Sequence, residues 1–258
     1  MKVRQARERC NSGVYHIVLR GINRQDIFYD DEDFQRFLET LAKMKSDQQF
    51  DVYGYCLMSN HAHLLIKEKS DNISRIMSRI GSSYAWWYNR KYQRSGHVFQ
   101  GRYGSECVED DKYLLTVIRY IHNNPVKAGM EKNPGKYRWS SIHAYYSGRE
   151  YPQRLTEPEY ILGIIHQDLN EAIRGFQEFM ELNNEDKCLD DEIKPRKTDG
   201  EVKSVIEALL NGDQLGKIHY LDKEKRNEIL RKVKESDGVS MRQIARVTGL
   251  SLHIVFKA

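Results

Sequence analysis

The segment His61–Ile66 constrains the fold more than any other stretch, because two histidines alternate in it with apolar residues. Side chains on a β-strand point alternately to its two faces. His61 and His63 are therefore expected on one face of a sheet, and Ala62 and Leu64 on the other, in a core. Two neighbouring imidazoles can hold one divalent metal ion, although two half-buried histidines with ordinary hydrogen bonds would show the same pattern.

Strand and helix patterns alternate around this segment. Strands are predicted over residues 13–21, 51–58, 61–66 and 105–108, and helices over residues 31–44, 72–92 and 112–123. Pro125 is predicted to end the third helix, because a proline disfavours helical geometry at the residue before it. The order β-α-β-β-α-β-α predicts an α+β fold, an antiparallel sheet with helices on one face.

Charge and composition divide the chain into three parts. Residues 1–150 carry a surplus of seven positive charges, residues 151–200 a surplus of six negative charges, and residues 201–258 a surplus of three positive charges. We therefore predict a first domain over 1–150, a helix and acidic linker over 151–200, and a separate helical unit over 201–258. Two basic parts suit a polyanion contacted at two places, although ordinary surface variation gives the same sums.

Targeting signals and paired cysteines are missing from the sequence. There is no apolar run of eighteen residues and no apolar segment near the N-terminus, which predicts neither a membrane span nor a signal peptide. The four cysteines lie far apart and form no CxxC pair, which argues against a disulfide framework and a structural zinc site. A reduced, cytoplasmic protein is the expectation.

The predicted third helix carries Tyr113, Tyr120 and Asn124 on one face, because the second and third of these follow Tyr113 by seven and eleven residues. A tyrosine hydroxyl is a poor nucleophile without help, and a metal ion at the attacked phosphate provides such help. Two imidazoles and an amide oxygen, such as that of Asn124, suit Mg²⁺ or Mn²⁺ better than a closed zinc site.

Other tyrosines compete for this role. The chain has 16 tyrosines, so one near any motif is unsurprising. Tyr84, Tyr88 and Tyr92 recur every four residues on the second predicted helix and are rival nucleophiles. Tyr120 could equally be a helix residue packed on the sheet. The spacing alone leaves the choice open.

Basic and aromatic residues are interleaved between residues 70 and 104. Basic side chains neutralise phosphates and aromatic rings stack on unpaired bases, so this composition suits nucleic acid. The alternative is that most of these rings, above all the two adjacent tryptophans, pack a helix onto the sheet. Arg20, Arg24 and Arg102 are the predicted DNA contacts, because they flank the elements that would surround the site.

The C-terminal segment has the pattern of a helix-turn-helix. Ser240–Gln243 forms a capping box, Gly249 supplies a turn, and Ser251 caps a second helix. Arg242 and Arg246 are predicted to contact DNA phosphates. The alternative is a helical hairpin for packing or dimerisation, which would make the protein a homodimer.

Five motifs, in order over residues 14–145, resemble those of the single-tyrosine, HUH-type (IS200-like) transposases, and in particular the REP-associated tyrosine transposases. The motifs occupy residues 15–28, 58–66, 98–103, 119–129 and 139–141. The resemblance implies a ferredoxin- or RRM-like HUH core. It also implies that Tyr120 is the nucleophile and that His61, His63 and Asn124 hold the metal.

This resemblance implies a transposase that nicks and rejoins single-stranded DNA beside a hairpin, through a 5′-phosphotyrosine link and with Mg²⁺ or Mn²⁺. Palindromic repeats are the expected substrate, and the nucleoid the expected place in the cell. The reaction needs no ATP, and the chain has no GxxxxGK[ST] phosphate loop. Two alternatives remain: a DNA-binding regulator without catalysis, and a metal phosphodiesterase that acts through water.

Overall fold

The computed structural model describes residues 10–46, 50–182, 186, 188–189, 197–236, 239 and 241–258, without the side chain of Arg242. The chain divides into two compact units, Met1–Asp190 and Asp191–Ala258. No helix in the described part of the chain is long and apolar enough to cross a membrane.

A four-stranded sheet forms the centre of the first unit. Its strands are β1 (Val14–Arg20), β2 (Phe50–Met58), β3 (His61–Glu68) and β4 (Gly104–Cys107). They lie in the order β2-β3-β1-β4, and all neighbours are antiparallel, as predicted. In the middle of the sheet, His16 on β1 lies opposite Leu65 on β3 and opposite Glu106 on β4.

Helices cover both faces of this sheet, so the prediction of helices on one face was wrong. They are α1 (Asp31–Ser46), α2 (Ile73–Lys91), α3 (Asp111–Lys127), α4 (Ile142–Ser147), α5 (Pro158–Ile165) and α6 (Leu169–Glu181). Side chains of α1 and α2 share a core with Ile17 and Leu64, whereas those of α3 share a second core with Cys56 and Leu65. The reason is that β2 and part of β3 are apolar on both faces, and each face is covered by an amphipathic helix.

Helix α3 runs through Pro125 to Lys127, so the prediction that this proline ends the helix was also wrong. Proline removes one N–H donor, but the turn after it still closes, because the N–H of Ala128 donates to the carbonyl of Asn124 at 2.9 Å. The start of α3 is as predicted: the carboxylate of Asp110 accepts the N–H of Tyr113 at 2.8 Å. Helices α5 and α6, although they follow residue 150, pack in the core that contains α3.

The second unit consists of helices. These are α7 (Asp199–Leu209), α8 (Lys223–Glu235), α9 (Met241–Thr248) and α10 (Leu252–Lys257). Their core contains Val202, Leu230 and Ile244. Thr198 forms a capping box with Glu201, so α7 begins inside residues 151–200, the stretch predicted as a helix and linker. Residues 183–185, 187 and 190–196 of that stretch lie outside the described residues.

Two predictions about the end of the chain are confirmed, and one lies outside the described residues. Gly249, between α9 and α10, has a φ of 72°, a left-handed conformation that glycine adopts without strain. The hydroxyl of Ser251 accepts the N–H of Ile254 at 3.3 Å and caps α10. Ser240, the predicted cap of the preceding helix, is outside the described part of the chain.

Candidate active site

The two histidines of β3 lie side by side on the α3 face of the sheet. Ala62 and Leu64, which alternate with them, are in the opposite core with α1 and α2, as the strand pattern predicted. The ring centroids of His61 and His63 are 5.0 Å apart. His61 is half-buried and His63 is fully buried.

Each histidine makes a hydrogen bond through its Nδ1 atom. In His61, Nδ1 lies 2.5 Å from the side-chain oxygen of Asn60, which can only accept a hydrogen bond, so Nδ1 carries the proton and Nε2 the lone pair. In His63, Nδ1 lies 3.1 Å from Nε2 of His16. Burial first, and then neighbouring positive groups that include Arg20, hold the pKa of His63 well below its usual range, so its ring is neutral at pH 7. A neutral imidazole is the form that binds metals.

A half-buried carboxylate, that of Glu106, lies behind this pair. Nδ1 of His16 is 3.3 Å from a carboxylate oxygen of Glu106, which also accepts the hydroxyl of Tyr113 at 2.5 Å and the N–H of Leu189 at 3.1 Å. Burial by itself would raise the pKa of Glu106, but the hydrogen bonds from His16 and Tyr113 outweigh it and lower that pKa. Three donors therefore surround an ionised carboxylate.

Tyr120 faces the histidines from α3. Its ring centroid lies 5.9 Å from that of His63 and 6.0 Å from that of His16, in edge-to-face contacts. Lys127 follows Tyr120 by seven residues, about two turns of α3. Its ammonium lies 4.3 Å from the centre of the Tyr120 ring. Asn124 is buried one turn after Tyr120, and its amide nitrogen donates to the Tyr120 carbonyl at 3.0 Å, which leaves its amide oxygen as an acceptor.

The rival tyrosines lie elsewhere. Tyr84 and Tyr88 are buried in the core on the opposite face of the sheet, where their hydroxyls donate to the carbonyls of Ile27 and Asp26. Burial raises the pKa of Tyr84, and it raises that of Tyr88 to about 12. The hydroxyl of Tyr92 donates to the carboxylate of Asp33 at 2.7 Å. Of the tyrosines considered from the sequence, Tyr120 is thus the one whose ring contacts the histidines.

The predicted DNA-contacting arginines are scattered. Arg20 on β1 is paired with His61 on the neighbouring strand β3. Arg24 is exposed in the short turn that follows β1. Arg102 is exposed and lines, with residues of α2, a groove of about 500 Å³ on the side of the sheet away from the histidines. In the second unit, Arg246 forms a two-pronged ion pair with Asp199, at 2.9 and 2.6 Å.

A second cluster of metal-binding atom types occurs among the described residues, at the start of the sheet. One such atom from each of Cys10, Cys107 and Glu109 lies within 4.8 Å of the others. Both carboxylate oxygens of Glu109 already accept main-chain N–H groups, from Asn11 at 3.0 Å and Ser12 at 2.9 Å. The exposed carboxylate of Glu109 therefore stabilises the segment that precedes β1 through these hydrogen bonds. The histidine pair is the better candidate for a metal.

Sequence reasoning missed three residues around the site: His16, Glu106 and Lys127. His16 lies between Val14 and Val18 on one face of β1, so the sequence pattern gave only a weak signal there. The pairing of β1 with both β3 and β4 was needed to show that the side chains of His16 and Glu106 reach His63.

Comparison with known proteins gives a match to one family model. Residues 10–124 match the family model described as "Transposase IS200 like". These residues are therefore similar to the IS200-like transposases, the resemblance that the motifs predicted.

The individual relatives are REP-associated tyrosine transposases. The chain is 22% identical over 121 residues to the one from Escherichia coli K12, a match that covers 46% of this chain and 70% of the relative. It is 26% identical over 115 residues to a Haemophilus influenzae protein assigned to the same group, covering 40% of this chain and 65% of that relative. A solved REP-associated tyrosine transposase bound to a REP hairpin aligns with a TM-score of 0.49 and 19% identity, over 60% of this chain and 93% of that one.

Proposed function

We propose that this protein nicks and rejoins single-stranded DNA beside a hairpin, with Tyr120 as the nucleophile. The observation that carries the proposal is the placement of the Tyr120 ring, 5.9 Å from that of His63 and on the same side of the sheet as both β3 histidines. The match of residues 10–124 to the IS200-like transposase family model supports the same reaction.

The histidines fit a divalent metal ion. Nδ1 of His61 and of His63 are each engaged in a hydrogen bond, which leaves Nε2 of each ring as the ligand atom. The amide oxygen of Asn124 is the proposed third ligand, and this mixture of nitrogen and oxygen donors suits Mg²⁺ or Mn²⁺. Such an ion, when bound, withdraws charge from a phosphate and stabilises the negative charge that develops on it during attack.

The chain's own residues carry out the transfer. The Tyr120 oxygen bonds to phosphorus, the bond from phosphorus to the 3′ oxygen breaks, the phenol gives up its proton, and the 3′ oxygen takes one up. Because the ester is conserved as a 5′-phosphotyrosine, a different 3′-OH can reverse the reaction without ATP. The ammonium of Lys127, 4.3 Å from the centre of the Tyr120 ring, can attract a phosphate to this position.

Single-stranded DNA is expected to contact both faces of the first unit. Arg20 and Arg24 lie at the end of β1, next to His61, where they can contact phosphates around the cut. The groove lined by Arg102 also contains the aromatic rings of Phe99 and Tyr103, which suits stacking of unpaired bases.

We also propose that the second unit binds duplex DNA through the helix-turn-helix formed by α9 and α10. The exposed residues of α10 include Leu252, Phe256 and Lys257, which can contact a thymine methyl group or a phosphate. Arg246 is less suited to this role than the sequence indicated, since it is paired with Asp199. The predicted homodimer and nucleoid location stay predictions.

One observation favours the alternative of a DNA-binding protein without catalysis. Tyr120 is only 2% exposed, and Lys127 lies over its ring while donating to the carbonyl of Asp186 at 2.9 Å. A phosphate can reach the Tyr120 hydroxyl only if this cover moves when DNA binds.

A covalent-trapping experiment separates the two. The wild-type chain, Tyr120→Phe and the matched control Tyr160→Phe are incubated with Mn²⁺ and end-labelled single strands taken from the DNA that flanks the gene. Tyr160 is half exposed and stacks on Tyr53, away from the histidines. We expect a labelled protein adduct on a denaturing gel for the wild type and for Tyr160→Phe, and none for Tyr120→Phe. An adduct mapped to another tyrosine, or cleavage without any adduct, would contradict the proposal.

A further inference from the structure

A line of three polar side chains crosses the sheet behind the proposed metal site. Glu106 on β4 is directly opposite His16 on β1, so both point to the same face. His63 on β3 is diagonal to His16 on that same face, because His63 lies opposite Val18. The strand register alone therefore places Glu106, His16 and the proposed metal ligand His63 on one face of three adjacent strands.

The hydrogen bonds along this line fix where the protons lie. An ionised carboxylate accepts and never donates, so His16 must donate its Nδ1–H to Glu106, at 3.3 Å. A His16 that carries only this proton accepts at its other nitrogen, Nε2. Nδ1 of His63 lies 3.1 Å from that atom and fits as the donor. The lone pair of His63 is thereby left on Nε2.

Burial and support make this line rigid. His16 and His63 are both fully buried, and their ring planes differ by only 21°. Glu106 is held from two further sides, by the hydroxyl of Tyr113 and the N–H of Leu189. The other tautomer of His16 would set the lone pair of Nδ1 against the carboxylate of Glu106 and lose this hydrogen bond.

We propose that Glu106 and His16 are positioning residues that hold His63 in the Nδ1–H form and so present Nε2 to the metal. The inference rests on the proposed function, since it assumes that His63 is a ligand. Neither residue needs to touch DNA or the ion. Hydrogen-bond partners of metal-binding histidines act in this way in many proteins, and their loss typically weakens metal affinity about 10–100-fold.

Metal affinity of the full-length chain tests the proposal without any cleavage reaction. We expect Glu106→Gln to raise the Kd for Mn²⁺, followed by electron paramagnetic resonance, by about tenfold or more. The matched control is Glu109→Gln, the same change three residues further on, at an exposed carboxylate that accepts the main-chain N–H groups of residues 11 and 12. This control is expected to change the Kd less than about twofold. Equal affinities for wild type and Glu106→Gln would overturn the proposal.

Two substitutions of His16 separate a positioning role from a ligand role. His16→Leu removes the acceptor for His63 and is expected to weaken Mn²⁺ binding about 10–100-fold. His16→Gln returns an acceptor oxygen near the position of Nε2 and is expected to restore most of the affinity. A loss in His16→Leu as complete as in His63→Ala would make His16 a ligand and refute the positioning role.

The tautomer itself can be measured in the metal-free wild type by long-range proton–nitrogen correlation with labelled histidine. We expect His63 to be neutral with its proton on Nδ1, and Glu106→Gln to give a mixture of tautomers. A wild-type His63 with its proton on Nε2 would overturn the inference. If the chain bound no Mn²⁺ at all, the metal part of the proposed function would fail, whereas the tautomer result would still decide the inference.

Discussion

Gly54 on β2 sets how closely α3 approaches the sheet, and the Gly54→Ala variant tests whether that approach positions Tyr120. A Cβ atom at residue 54 would lie 2.3 Å from Cδ1 of Ile118 on α3. Carbon atoms prefer separations of about 3.5–4.0 Å, so Cδ1 of Ile118 must move by about 1 Å or more. Because Ile118 is fully buried, this movement displaces α3 from the strand unless the side chain can rotate. Ile118 precedes Tyr120 by two residues, so the tyrosine would move with the helix.

The expected cost follows from this overlap. Overpacking of this kind costs about 1–3 kcal/mol, and misplacing a reacting group by about 1 Å costs about 100-fold in rate. The variant Ile118→Val removes the atom that clashes and by itself costs about 0.5–1.5 kcal/mol. The double variant should therefore be more stable than the sum of the single effects by about 1 kcal/mol or more.

Urea denaturation followed by tryptophan fluorescence measures these stabilities. All three tryptophans, Trp86, Trp87 and Trp139, lie in the first unit, so the signal does not report on the second. The matched control is Gly163→Ala, on the exposed side of α5, where a Cβ meets no atom within 4 Å. That change should stabilise by about 0.5–1 kcal/mol, because alanine favours helix. A Gly54→Ala variant as stable as wild type, or one that Ile118→Val does not relieve, would refute the reasoning.

Three further predictions concern metal and DNA. His61→Ala and His63→Ala should both abolish cleavage that depends on Mn²⁺, but only His63→Ala should lower stability by about 1–3 kcal/mol, since it leaves the buried His16 without its partner. Cleavage that persists in a chelator would speak against this metal role. A chain ending at Asp190 should keep single-strand cleavage but bind hairpin duplex more weakly, which binding at two salt concentrations would show; equal affinity and equal salt dependence would mean that the second unit does not bind DNA. Arg102→Ala should weaken binding to all sequences alike and reduce the salt slope by about one, whereas an unchanged slope would remove Arg102 from the interface.

The local patterns in the sequence were sufficient for the secondary structure of the first unit. Alternation in His61–Ile66 predicted the strand and its two faces, and the amphipathic spacing over residues 31–44 predicted α1 to within two residues at its end. Such patterns depend on neighbours along the chain, and burial of one face is enough to produce them. The turn at Gly249 and the cap at Ser251 were predictable for the same reason.

Sequence spacing could not choose the tyrosine. Tyr84 and Tyr120 both lie on amphipathic helices with suitable neighbours, and the motif resemblance, not periodicity, favoured Tyr120. The structure distinguishes them because their helices pack on opposite faces of one sheet. The strand order, together with which strands are apolar on both faces, decides which face of the sheet a helix covers. Neither property can be predicted from the sequence of the helix itself.

The line from Glu106 through His16 to His63 was decided only by the tertiary structure. These residues are 90 and 47 positions apart in the chain and meet because β1 lies between β3 and β4 in one register. A shift of that register by one residue would turn the side chains of a whole strand to the opposite face. The sequence by itself determined that a strand presents two histidines on one face, and the long-range pairing of strands determined what stands behind them.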